Sequence, residues 1–146
     1  MRQHTTPPPP IGQGHGYALL VARILLALIF IAAGIDKLGH YNATLAYMQT
    51  MAVPGGLLPA VIALELGGGL AIVLGAATRP AALGLAAFCV VAGALFHRQF
   101  ADPVQVAMFM KNLAIAGGLL CLAVAGAGRL SVDARRRPGR AAASLS

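Results

Sequence analysis

The stretch 96–120, FHRQFADPVQVAMFMKNLAIAGGLL, decides how this chain is read. It opens with a polar turn, Phe96-His97-Arg98-Gln99-Phe100-Ala101-Asp102-Pro103, and then becomes apolar. Pro103 suits the first turn of a helix, where its missing N–H has no partner to lose, and Asp102 is a natural N-cap before it. At 1.5 Å per residue, the apolar run from Val104 to Ala127 is long enough to cross a hydrocarbon core of ~30 Å. Lys111 and Asn112 stand side by side within it. An ammonium and a carboxamide at that depth are costly unless something pairs with them. Their partner must come from elsewhere in the chain.

Composition supports the membrane reading. Hydrophobic residues make up 58% of the 146 residues and charged residues only 10%. An ordinary soluble domain has about 45–50% and about 25%. A soluble globule of this size needs more polar groups than that to cover its surface. The chain therefore reads as an integral membrane protein with room for one domain. Its net charge of +7 is carried in the C-terminal tail and short connections rather than on one face. That distribution argues against nucleic acid as a partner and in favour of topology signals. Cys89 and Cys121 both lie in apolar segments, outside any CxxC, and read as small buried hydrophobes.

Three more spans precede the last one. Tyr17–Ile35 has 19 residues and rises about 28 Å as a helix. Arg23 interrupts it, and Asp36-Lys37 marks its exit. Leu58–Ala77 carries Glu65 and the run Gly67-Gly68-Gly69, and Thr78-Arg79-Pro80 turns into Ala81–Phe96. Between the first two spans, Tyr41, Leu45, Met48 and Ala52 recur at helical spacing. They predict a short interfacial helix, which Pro54-Gly55-Gly56 ends. Residues 1–16, rich in Pro and Gly, predict a disordered lead rather than a signal peptide, and 129–146 a mobile basic tail. The fold class is all-α, a four-helix transmembrane bundle over 17–128. Gly67 with Ala71, Ala82 with Ala86, and Gly117 with Cys121 and Ala125 predict smooth stripes for close helix packing.

Four spans put both termini on one side. Seven basic residues fall on that side, Arg2, Arg79 and five tail arginines, against Lys37 and Arg98 on the other. The positive-inside rule predicts that both termini are cytoplasmic. Glu65 and Lys111 then each lie about 10 Å below the outer boundary, on different helices. Equal depth and opposite charge predict a Glu65–Lys111 ion pair, with Asn112 and the hydroxyl of Tyr41 or Tyr47 completing its hydrogen bonds. The pair either fixes helix register or lines a ligand pocket. Arg23 lies about 9 Å from the inner boundary, where it is expected to snorkel to lipid phosphate; the alternative is an inward-facing arginine bonding carbonyls or Glu65. Lys37 and His97 are secondary candidates, gathered with His40, Arg98 and Asp102 at the outer rim; the sharper reading has Lys37 or His97 dipping inward over Glu65. No metal site is expected, since His4, His15, His40 and His97 share no i,i+3 or i,i+4 pair. P-loop, GxSxG and HExxH signatures are absent from the sequence.

Three stretches resemble the DoxX family of membrane proteins: ARILLALIFIAAGIDKL, ALELGGGLAIVLGAATRPAAL and FHRQFADPVQVAMFMKNLAIAGGLL. The last is the most specific. The resemblance implies a four-helix protein of the bacterial inner membrane and singles out Arg23, Gly34, Lys37, Glu65, Gly68, Lys111 and Asn112. It also implies a redox association. One relative in that family is a subunit of a thiosulfate:quinone oxidoreductase, and another belongs to a membrane oxidoreductase complex handling thiol stress. The expected function is thus an accessory or anchoring subunit of a thiol/sulfur or quinone-linked redox system, its pocket holding a quinone headgroup or docking a redox-enzyme partner. Two alternatives stand: a quinone-linked oxidoreductase subunit with its own pocket, and a small-molecule transporter. The partners expected are the lipid bilayer, a redox enzyme and a second copy in a homodimer. No cofactor is bound by a recognisable motif.

Overall fold

The computed structural model describes residues 13–136. They form helices α1 (Gln13–Gly39), α2 (Tyr41–Thr50), α3 (Leu58–Leu74), α4 (Thr78–Phe96), α5 (Pro103–Ala125) and a short α6 (Val132–Arg135), with a 3-10 turn at Gly55–Leu57 before α3. No strand occurs among the described residues. Four helical stretches, Gly14–Gly39, Gly55–Leu74, Thr78–Phe96 and Pro103–Ala125, are long and apolar enough to cross a membrane. The short helix expected after the first span is α2. Residues 1–12 of the expected lead, and the tail beyond 136, lie outside the described residues.

The boundaries differ from the sequence reading in two places that matter. Helix α1 begins at Gln13, so residues 13–16 are helical and not part of a loose lead. Extending an existing helix fixes one residue per added bond, so the long apolar run carries the helix through Gly14 and Gly16. At its other end α1 continues to Gly39, which leaves Asp36 and Lys37 inside the helix rather than beyond it. Asp102 caps α5 as expected, its carboxylate accepting from the Val104 N–H at 2.9 Å.

The four long helices form two layers. Helix α1 packs along α3, and α4 along α5; α3 and α4 join the layers, while α1 and α5 meet only briefly. Glycines set the close approaches. A Cβ at Gly34 would lie 2.7 Å from Leu66, and one at Gly69 2.9 Å from Ile31, so α1 and α3 touch through these two positions. Gly93 faces Asn112 across α4 and α5, and Gly118 faces Leu26 where α5 reaches α1. The expected stripes at Gly67 and Gly117 are not the packing surfaces, since a Cβ at either would meet nothing within 4 Å. Those faces point out of the bundle, and Cys121 is likewise exposed. Ala82 and Ala86 are buried. The main core gathers Ala27, Ile72, Leu85 and Leu119, all fully buried. A second cluster, Met48 with Leu58 and Ile62, seats α2 over the start of α3.

Candidate functional site

The bundle has two unlike ends. The terminal end carries the start of α1 and the end of α5, and a buried arginine closes it. Arg23 is 1% exposed. Its guanidinium donates from Nη1 to the Ala127 carbonyl at 2.8 Å and from Nη2 to the Leu130 carbonyl at 2.6 Å. These carbonyls belong to the chain just after α5, outside any helix, and so have no intrahelical donor of their own. The expected snorkelling is therefore corrected: Arg23 turns inward, because the chain after α5 folds back and offers it acceptors. Gly75 makes room for it. This glycine sits at φ +66° at the end of α3, and a Cβ there would collide with the guanidinium. Asp133 completes the closure by accepting from the N–H groups of Ala77 and Thr78 at 2.9 and 3.0 Å, which caps the start of α4. Residues 129–136, expected to belong to a mobile tail, are held in place by these bonds.

The distal half holds a cavity of about 400 Å³ between the two layers. That is within the range of small-molecule sites. Its walls come from five helices: Phe30 and Ala33 of α1, Met48 of α2, Val61 of α3, Phe88 and Ala92 of α4, and Ile115 of α5 are among them. Nearly all of the lining is apolar. Into it project Lys37, Glu65, His97, Lys111 and Asn112, so every distal candidate from the sequence reaches this one space.

Glu65 does not pair with Lys111. Its Oε1 accepts from Lys37 Nζ at 2.9 Å, with Glu65 3% exposed and Lys37 24% exposed. The reason is directional. Cα–Cβ bonds lean toward a helix's N-terminus, so Lys37 near the distal end of α1 reaches back into the bundle. Helix α5 runs the opposite way, and the same lean carries Lys111 toward the distal rim, where it is exposed and contacts Met108 Sδ at 3.2 Å. Helix α4 also separates α3 from α5, so equal depth did not mean adjacency. The inward dip of Lys37, one of the two sharper expectations for the rim, is what forms the pair.

The remaining polar groups keep to their own neighbourhoods. Asn112 donates to the Met108 carbonyl at 3.0 Å. His97 Nδ1 bonds Gln105 Oε1 at 2.9 Å. His40 pairs with Asp36 at the exposed rim. The Tyr47 ring stacks on Phe96 at 5.6 Å and closes α2 over the cavity; neither Tyr41 nor Tyr47 bonds the ion pair. Lys37 has three N–H donors and uses two, one on Glu65 and one, at 3.4 Å, on the Ala33 carbonyl. The third is available to the cavity. Glu65 Oε2 is buried with no hydrogen-bond partner among the described residues. Among the described residues no three His, Cys, Asp or Glu side chains gather as a metal site requires. What the arrangement offers is one cationic donor and one buried acceptor at the wall of an apolar space.

A small all-α bundle of four apolar helices with an ion pair inside it is a multi-pass membrane protein. The sequence profile of the DoxX family matches residues 18–98, more than half of the chain. The chain is 52% identical over 115 residues to the inner membrane protein YqjF of Escherichia coli K12, covering 79% of this chain and 88% of that protein. It is 36% identical over 132 residues to the inner membrane protein YphA of the same strain, covering 85% of this chain and 94% of that one. This chain belongs to the DoxX family and is a multi-pass inner-membrane protein. The profile match takes in Arg23, Lys37 and Glu65 and ends at Arg98, before the α5 stretch that looked most specific. No solved structure matches it.

Proposed function

We propose that this protein binds a lipophilic, carbonyl-bearing molecule in the distal cavity, an isoprenoid quinone being the class that fits. In this reading it serves as the membrane subunit of a thiol/sulfur or quinone-linked redox system. The observation that carries the reading is the Lys37–Glu65 pair at the wall of an otherwise apolar cavity of about 400 Å³. Apolar walls suit a ring and its tail, and a few placed polar groups fix its orientation. The spare Lys37 donor suits a quinone carbonyl, and Glu65 holds the ammonium in place. When bound, a quinone supplies two-electron, two-proton redox chemistry. The residues of this chain bind and orient it, and electrons would pass to or from a partner enzyme. Seven basic residues on the terminal side against two on the other support cytoplasmic termini.

The test is purification in mild detergent with native partners, followed by absorbance and mass spectrometry of the extracted lipids. Quinone should accompany the wild type in stoichiometric amount and be lost from Lys37→Met, with helicity by circular dichroism unchanged. A folded protein carrying neither quinone nor a redox partner would overturn the proposal. It would leave the pair as a device that fixes the register of α1 against α3.

A further inference from the structure

The structure assigns the cavity a lateral mouth: the two layers part in the distal half, and the cavity opens sideways into the acyl-chain region of the bilayer. This rests on the reading that the cavity holds a lipophilic ligand, and it adds the route of entry and the place of the tail. The head sits at Lys37–Glu65, and the tail lies in the slot between the layers.

Three observations carry it. The polar fastening between the layers is at the terminal end, while at the distal end Phe96 of α4 packs on α2 and the start of α3 as part of the roof. Arg23 ties α1 to the chain after α5, and the tight turn at Gly75–Ala77 joins α3 to α4. Helices α1 and α5 approach closely at Leu26 against Gly118, where a Cβ would lie 3.2 Å from Leu26 Cδ2. Beyond it, the cavity stands between Phe30 and Ala33 on one helix and Asn112 and Ile115 on the other. Second, each side-chain hydrogen bond in the distal half of the long helices stays within its own layer. Lys37–Glu65 joins α1 to α3, His97–Gln105 lies at the α4–α5 end, and Asn112–Met108 is within α5. The cross-layer polar fastening found at the terminal end has no counterpart there among the described residues. Third, six lining residues are themselves exposed: Ile29, Tyr47, Leu57, Val91, Leu95 and Lys111. Tyr47 belongs to the roof, and the others mark the mouth. Ile29, Val91 and Leu95 belong to membrane-spanning segments, so the surface they face is hydrocarbon. The distal end, by contrast, is roofed by α2 and by the Tyr47–Phe96 stack. A molecule dissolved in the bilayer thus enters without leaving hydrocarbon, and its polar head meets the ion pair only after passing the mouth.

The experiment uses the full chain, unmutated, in nanodiscs containing phosphatidylcholine with a diazirine in its acyl chain. After illumination, adducts are mapped by mass spectrometry. Phe30 and Cys89 are buried yet line the cavity, whereas Leu85 and Leu119 are buried without lining it. Acyl-chain adducts at Phe30 and Cys89, with none at Leu85 and Leu119, are expected. Outward residues such as Leu25 and Val124 are labelled in any case. Labelling confined to the outward residues would overturn the lateral mouth. So would labelling of Phe30 and Cys89 by a water-soluble diazirine alone, since the cavity would then open to water. Loss of the quinone reading would leave this result untouched, and acyl chains excluded from a cavity that still binds quinone would refute the mouth alone.

Discussion

Replacing Lys37 with methionine removes the ammonium and keeps most of the side chain's length. It leaves Glu65, 3% exposed, without the charge 2.9 Å from its Oε1. Breaking a buried pair by deleting one partner costs about 3–5 kcal/mol, because the remaining charge is stranded. In a chain of this size that corresponds to a fall in midpoint on the order of 10 °C. Lys111→Met is the control, since Lys111 is exposed and its hydrogen bond among the described residues is to Met108 Sδ. Its effect should stay within about 0.5 kcal/mol. The assay is thermal unfolding in detergent, followed by circular dichroism and by retention on size exclusion. Glu65→Gln should lower the midpoint as well, by less than Lys37→Met, since the amide still accepts a hydrogen bond. The double variant Lys37→Met with Glu65→Leu should recover most of the loss, because an apolar pair strands no charge. Strict additivity of Lys37→Met and Glu65→Leu, each measured alone and together, or an equal loss for Lys111→Met, would refute the pairing and return the buried carboxylate to the partner expected from depth alone.

Other consequences follow from the same geometry. Arg23→Met removes two charge-assisted bonds, each worth about 1.5–3 kcal/mol; hydrogen exchange over residues 127–135 should rise sharply while exchange in α3 and α4 changes little. Asp133→Ala removes the cap of α4 and should cost about 0.5–2 kcal/mol in the same thermal assay. Gly34→Ala and Gly69→Ala should destabilise the α1–α3 contact, whereas Gly67→Ala and Gly117→Ala should be silent, read as midpoints of the four variants side by side. A phosphatase fused after Ser146 should be inactive and a fluorescent protein bright if the termini are cytoplasmic.

Much of the fold was legible in the sequence because hydrophobic length is a strong signal. The four spans, the helix after the first of them and the Asp102 cap all follow from apolar runs and their punctuation. The sequence candidates Lys37, Glu65, His97, Lys111 and Asn112 line one cavity, but the ion pair among them was not legible. Depth along a helix can be counted from residue numbers, and it placed Glu65 and Lys111 level with each other. Which helices are neighbours, and which way a side chain leans, are properties of packing. Lys37 was named as one of two residues that could dip over Glu65, and the signal that selects it as the partner is the helix direction: a lysine late in an outgoing helix leans back toward the bundle. Ending the span at Ile35 obscured this, since that put Lys37 in a connection. For Arg23 the snorkelling expectation failed and the alternative, an inward-facing arginine bonding carbonyls, is what the structure shows. Which carbonyls could not be read, because they belong to a segment over 100 positions away and leave no trace in composition. Gly75 carries the clue in retrospect, a glycine at a turn that is also the space for a guanidinium.

The central claim is that the Lys37–Glu65 wall and the apolar cavity form a binding site. Its most direct measurement is equilibrium binding of decylubiquinone to the protein in nanodiscs, for the wild type and for Ala92→Trp, which adds an indole at the α4 wall of the cavity and keeps both residues of the pair. Saturable binding at one site per chain is expected, abolished in Ala92→Trp while the thermal midpoint holds. Non-saturable partitioning that is identical in the two proteins would contradict it.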